Sequence, residues 1–176
     1  MLIDKFETYI LNIAGLKSRS TRKQLIKICK QIHFCESIQY SITKKKGIFV
    51  LELSLPKQQL PYVISFLSFH EYLIYQILPP KHVDELLNSE KLYQSSKRFD
   101  LKIDGLQDAF IKDKVIDIMT LFSNHYAINY TLNPDCASVC CSPETFAHLL
   151  RTIATHNIDV LSASYRSSAM HKSRIS

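Results

Sequence analysis

Two stretches of this chain, LNIAGL at 11–16 and LKIDGL at 101–106, carry Leu, Ile, Gly and Leu at the same spacing, ninety positions apart. With that offset held, Leu25 falls on Val115, Ile28 on Ile118, Cys29 on Met119 and Ile32 on Phe122. Further on, Ile38 falls on Ile128, Tyr40 on Tyr130 and Ile42 on Leu132, with no gap. An internal repeat constrains a fold more than any local propensity, because whatever one copy forms the other must form too. In 176 residues it leaves room for two small units, each with a modest core.

The hydrophobic period changes in step within each copy. Leu25, Ile28, Cys29 and Ile32 recur at helical spacing, with Lys23, Lys27 and Lys30 on the opposite face. Ser20 or Thr21 is the expected N-cap. Beyond the helix the period drops to two: Ile38, Tyr40 and Ile42 alternate with Ser37, Gln39 and Ser41, as in a strand with one buried face. KKKG then reads as a hairpin turn and IFVLELSL as the returning strand. Pro56 opens a second helix, whose regular part starts nearer Pro61 and carries Leu60, Val63, Ile64 and Leu67. In the second copy Pro143 leads into Phe146, Leu149, Leu150 and Ile153. YLIYQIL and IDVLSASY close the copies as short strands.

Strand, helix, strand, strand, helix, strand is the order of a split βαβ unit. The expectation is therefore an α+β chain of two tandem ferredoxin-like βαββαβ units, each a four-stranded antiparallel sheet with two helices on one face. The first spans 5–80 and the second 98–166. A linker with a short helix, 81–97, joins them, and a small, polar, basic tail, 167–176, is expected to fray.

Charge separates the copies that apolar pattern unites. The net charge is +6, and six basic residues with no acid lie between Leu16 and Cys35. The matching stretch of the second copy carries Asp104, Asp108, Asp113 and Asp117. The loop GLKSRSTRK sets cations beside a helix N-terminus, whose free N–H groups and dipole favour anions. Lys17, Ser18, Arg19, Thr21, Arg22, Lys23 and Lys27 are accordingly the candidate anion or partner site. On the third strand Phe49, Leu51 and Leu53 alternate with Ile48 and Val50, so it is apolar on both faces. Helices cover only one of them. Asn12, Ile48 and Val50 are therefore candidates for a sheet-face contact with the other half, another protomer or a partner protein.

Little points to catalysis. Three glycines exclude a Gly-rich phosphate loop, and the seven histidines show no metal spacing and no carboxylate partner. The five cysteines form no CxxC. CASVCC is expected to lie along a strand with its sulfurs on alternating faces. No catalytic residue, metal or cofactor is expected. No apolar run approaches the roughly 18 residues that span a bilayer, and the N-terminal residues lack a secretory pattern, so a cytoplasmic protein without a membrane partner is expected.

Three families are resembled. At the positions where the heavy-metal-associated domain reads Gly-Met-x-Cys-x-x-Cys, this chain has Gly15, Leu16, Ser18, Thr21 and Gly105, Leu106, Asp108, Ile111. Both metal cysteines are replaced in both copies, and hydroxyls do not substitute for the thiolates that copper(I) needs. That resemblance implies a degenerate domain used for protein interaction. Paired units in a chain of this length resemble ACT-type regulators of the glycine cleavage transcriptional repressor kind, with KSRSTR and QDAFIK in place of that family's Asp-Arg-Pro-Gly turn. This resemblance implies a non-catalytic regulatory or adaptor protein that binds a small ligand or a protein, or self-associates. KKGIFVLEL resembles the third-strand motif of RNA-recognition domains, with Asn12 and Lys102 at the base-stacking positions and Phe49 as the strand's aromatic. That resemblance implies nucleic-acid binding through the basic first copy.

Overall fold

The computed structural model describes residues 5–88 and 96–166. The tail 167–176 and the part of the expected linker helix at 89–95 lie outside the described residues. The chain is an α+β fold. It comprises β1 (Phe6–Ile13), α1 (Arg19–Cys29), β2 (Gln39–Lys45), β3 (Ile48–Pro56), α2 (Leu60–Phe69), β4 (Ile74–Leu78), β5 (Lys97–Ile103), α3 (Ala109–His125), β6 (Asn129–Leu132), β7 (Cys136–Cys141), α4 (Pro143–Thr155) and β8 (Val160–Arg166). Short 3-10 turns occupy Lys57–Gln59 and Pro80–Glu85.

The eight strands among the described residues join one antiparallel sheet in the order β2-β3-β1-β4-β8-β5-β7-β6. Each half of that order repeats the other about the central seam, where Ile77 of β4 faces Ala163 of β8. The four α-helices among the described residues cover one sheet face. Leu11, Leu51 and Leu53 from the first half share a single core with Phe99, Leu101 and Val139 from the second. Phe99 stacks on Phe146 at 4.1 Å between ring centres. Over the seam, Ser65 Oγ of α2 donates to the Ala154 carbonyl of α4 at 3.0 Å.

The repeat extends to backbone detail. A register shift falls between Asn12 and Ile13 and again between Lys102 and Ile103. Gly15 and Gly105 both turn the chain at positive φ, +81° and +71°, a region that glycine enters without steric cost. Ala14 N–H donates to Leu73 O and Asp104 N–H to Asp159 O, both at 2.9 Å. After α2 and α4 the chain reverses through Glu71 and Asn157, both in the left-handed region.

Two local expectations change. The N-cap of α1 is Ser18, three residues after Gly15, with Asp108 in the same place before α3. Ser20 and Thr21 are already inside the helix, because only Ser18 has the extended backbone a cap requires. Helix α1 stops at Cys29, so Ile32 is buried from a turn rather than from the helix. Where the expected linker begins, Pro80–Glu85 form a short 3-10 turn.

That turn covers the first half's second sheet face. Gln76 is fully buried: its Oε1 accepts from Asn12 Nδ2 at 3.0 Å and from Leu87 N–H at 2.8 Å, and its Nε2 donates to Glu85 O at 2.8 Å. Asn12 Nδ2 also donates to Leu87 O, and Lys46 pairs with Asp84 at 2.9 Å. The cover over Asn12 and Gln76 thus comes from the chain just after β4, not from the second copy, another protomer or a partner protein. No helix among the described residues is long and apolar enough to cross a membrane.

Candidate functional site

Helix α2 is apolar all round. Leu60, Val63, Ile64 and Leu67 fill its buried side, and Tyr62, Phe66 and Phe69 recur at i, i+4 and i+7 on the other. A helix of that composition is ordinarily enclosed by protein. Here Tyr62 is 59% exposed and Phe69 60%. Beside them the loop after α1, freed by that helix's early end, brings in Phe34, 49% exposed and set edge-on to Phe66 at 5.7 Å. These four rings, Ser65, Asn157 and Asp159 line an open groove of about 510 Å³.

The polar end of the groove comes from the second half. Asp159 is half-buried, and its carboxyl is held above the ordinary aspartate range, first by burial and then by the negative charge of Asp104. No ion pair to Asp159 forms among the described residues; Lys114 Nζ donates to His156 O at 3.1 Å, and Arg151 contacts Glu71. The groove therefore offers apolar surface, aromatic faces and one carboxylate.

The basic loop divides by role. Ser18 Oγ caps α1 by accepting from Thr21 N–H at 3.4 Å, the counterpart of Asp108 Oδ1, which accepts from Phe110 and Ile111 N–H. The positions compared with metal cysteines are thus helix caps and first-turn residues. Arg22 turns inward: one guanidinium nitrogen donates to Leu16 O and Lys17 O, and the plane lies 3.9 Å from the centre of the Phe49 ring. Phe49 consequently faces the helices, not the opposite sheet face. Lys17, Arg19, Lys23, Lys27 and Lys30 remain exposed along α1, and Lys44 approaches the same Phe49 ring at 5.6 Å.

Of the sheet-face candidates, Asn12 is buried and bonded to Gln76 and Leu87, Val50 is fully buried and Ile48 is half-buried. Only Ile48 of the three has surface to offer a partner. A second cavity, about 370 Å³, lies between Gly15, Thr21 and Gln24 on one side and His70, Glu71 and Tyr72 on the other.

In CASVCC, Cys136 and Cys140 sit on the face away from the helices and Cys141 points into the core. Burial pushes the Cys141 thiol up to about 12 and the Cys29 thiol to about 11. Among the described residues no three His, Cys, Asp or Glu side chains converge on a point that could hold a metal. Between Cys136 and Cys140, Ser138 Oγ donates to Asp100 Oδ1 at 2.7 Å, and Asp100 also pairs with Arg166.

The aromatic groove was not singled out from the sequence. Its signal was present: once Leu60, Val63, Ile64 and Leu67 are assigned to the core, Tyr62, Phe66 and Phe69 are surplus apolar residues on the helix's outer side. Comparison with protein-family models, with curated proteins and with solved structures returns no match.

Proposed function

We propose that this chain is a non-catalytic adaptor or regulatory protein. In this reading it consists of two ferredoxin-like units of the ACT type joined edge to edge through β4 and β8, and it acts by binding another polypeptide. The observation that carries the proposal is the ring cluster of α2. Burying apolar area is worth about 25 cal/mol per Å², and this chain leaves three large rings more than two-fifths exposed on adjoining elements. Such a patch on a folded chain marks a contact surface. The paired strand order and the matched turns support the two-unit reading.

The test is contact-specific. A photoreactive phenylalanine analogue at Tyr62, in the cell that makes the protein, should give a discrete protein adduct. The same analogue at exposed Lys112 should not. Equal labelling from the two sites would remove the reading.

A second reading is favoured by the row Lys17, Arg19, Lys23, Lys27 and Lys30, with Lys44 beside it: the α1 face binds nucleic acid. Affinity would then fall steeply with salt as neutralised phosphates release counterions. A mobility-shift titration against RNA and DNA at two salt concentrations separates the readings. Salt-sensitive binding lost in the Arg19→Ala, Lys23→Ala double variant would promote this one over the first.

A further inference from the structure

We infer that the aromatic groove receives a basic side chain of a partner polypeptide, with the cation set against Asp159 and its apolar neighbours laid on Tyr62, Phe66 and Phe69. The inference rests on the groove being the docking surface proposed above and names the chemistry of what docks there.

Three observations converge. Four aromatic rings line the groove, and the negative face of an aromatic ring attracts ammonium and guanidinium groups while repelling carboxylates. The groove's charged residue is Asp159, half-buried beside the apolar lining, with Asp104 next to it through the backbone bond from Asp104 N–H to Asp159 O. Neither Asp159 nor Asp104 forms an ion pair with a side chain among the described residues; Lys114 donates to His156 O and Arg151 pairs with Glu71. A carboxylate partly withdrawn from water gains most from a partner that brings a cation and hydrogen-bond donors, as Arg does.

The occupant is a peptide segment rather than a small amine because of length. Tyr62 to Phe69 spans two turns of α2, about 10 Å at 1.5 Å per residue. A lone ammonium would use one end of that surface; a basic residue with apolar neighbours uses all of it. The net charge of +6 does not oppose this. The excess lies largely on α1, and at physiological salt its field is screened over about 8 Å, whereas Asp159 would touch the ligand.

The experiment uses the full chain and three labelled amphipathic peptides of equal length, identical in their leucines and carrying Arg, Gln or Glu at the polar positions. Fluorescence anisotropy should show the Arg peptide binding about tenfold more tightly than the Gln peptide, and the Glu peptide most weakly. Asp159→Asn should abolish the advantage of Arg over Gln and leave the Gln peptide unchanged. Tyr62→Ser with Phe69→Ser should weaken Arg and Gln peptides alike. A thermal melt confirms folding, and Tyr62→Ser alone replaces the double variant if that melts early. Equal binding of Arg and Gln peptides, with dependence on Tyr62 and Phe69 but none on Asp159, would overturn the cation assignment and leave the groove. Binding indifferent to all three positions, or no binding of any peptide at about millimolar concentration, would overturn both.

Discussion

The same register point in the two halves holds different chemistry. Where β1 meets β4, Asn12 faces Gln76, both buried and bonded to the returning chain at Glu85 and Leu87. Where β5 meets β8, Lys102 faces Ser162, and Lys102 is exposed. On the helical side the contrast is reversed. The outer positions of α2 are Tyr62, Phe66 and Phe69; the matching positions of α4 are His148, Thr152 and Thr155. One architecture has been specialised twice, with the first half closed on its sheet face and open on its helix face. Repeated backbone does not imply repeated surface, because apolar positions that point into the core set the fold, while outward positions are free to diverge.

The sharpest way to break this comparison is at Gln76. Gln76→Ala would leave the Leu87 N–H and Glu85 carbonyl without their partner and Asn12 Nδ2 with Leu87 O alone, and each buried orphan costs about 1–3 kcal/mol. Urea unfolding should show a loss of roughly 2–4 kcal/mol. Ser162→Ala, its counterpart, should stay within about 0.5 kcal/mol. Equal losses would mean that the chain at 80–87 does not hold the first half closed.

The turns should answer in the opposite sense, by being equivalent. Gly15→Ala and Gly105→Ala each force a side chain into the left-handed region, with Cβ contacts no closer than 3.6 Å, so strain rather than crowding sets the cost. Each should lose about 1–2 kcal/mol, and the two losses should agree. A large difference in urea midpoint would show that the turns are not one device used twice.

Thiol chemistry tests the two faces of β7. Cys140 is exposed, whereas Cys29 and Cys141 are buried with thiols pushed well above neutral range. Thiolate is the reactive form. Mass spectrometry of the alkylated native protein at neutral pH should therefore find Cys140 modified first, with Cys29 and Cys141 following only on unfolding. Early modification of Cys141 would place it on the wrong face.

The smallest effect is at Asp159. Its folded value is raised, so its charged form is the less favoured one in the fold, and ionisation costs stability as pH rises above the ordinary aspartate value. Asp159→Asn should raise the melting temperature slightly at neutral pH. The gain should vanish below about pH 3, where the wild-type carboxyl is protonated in both states. A loss at neutral pH would point to a favourable contact for that carboxylate.

Much of the fold was legible because it is written in periodicity. The offset of ninety located both copies, and the change of period from helical to alternating marked helix and strand. The candidate site was legible only in part. The cations of GLKSRSTRK were found, but Arg22 spends its charge on Leu16 O, Lys17 O and Phe49, a use that needs the β2–β3 hairpin to be folded beneath it.

By itself the sequence determined the paired strand and helix order, the buried side of α1 and β2 and the electrostatic asymmetry of the halves. Those follow from local pattern, since a side chain's face is fixed by its position within a helix or strand. Only the tertiary structure decided that β4 pairs with β8 into a single sheet, that the chain after β4 folds back over Asn12 and Gln76, and that Phe34 meets Phe66 beside Asp159. Each joins residues far apart in the chain. Such contacts are selected by which surfaces remain to be buried and which polar groups remain to be bonded once the local elements have formed.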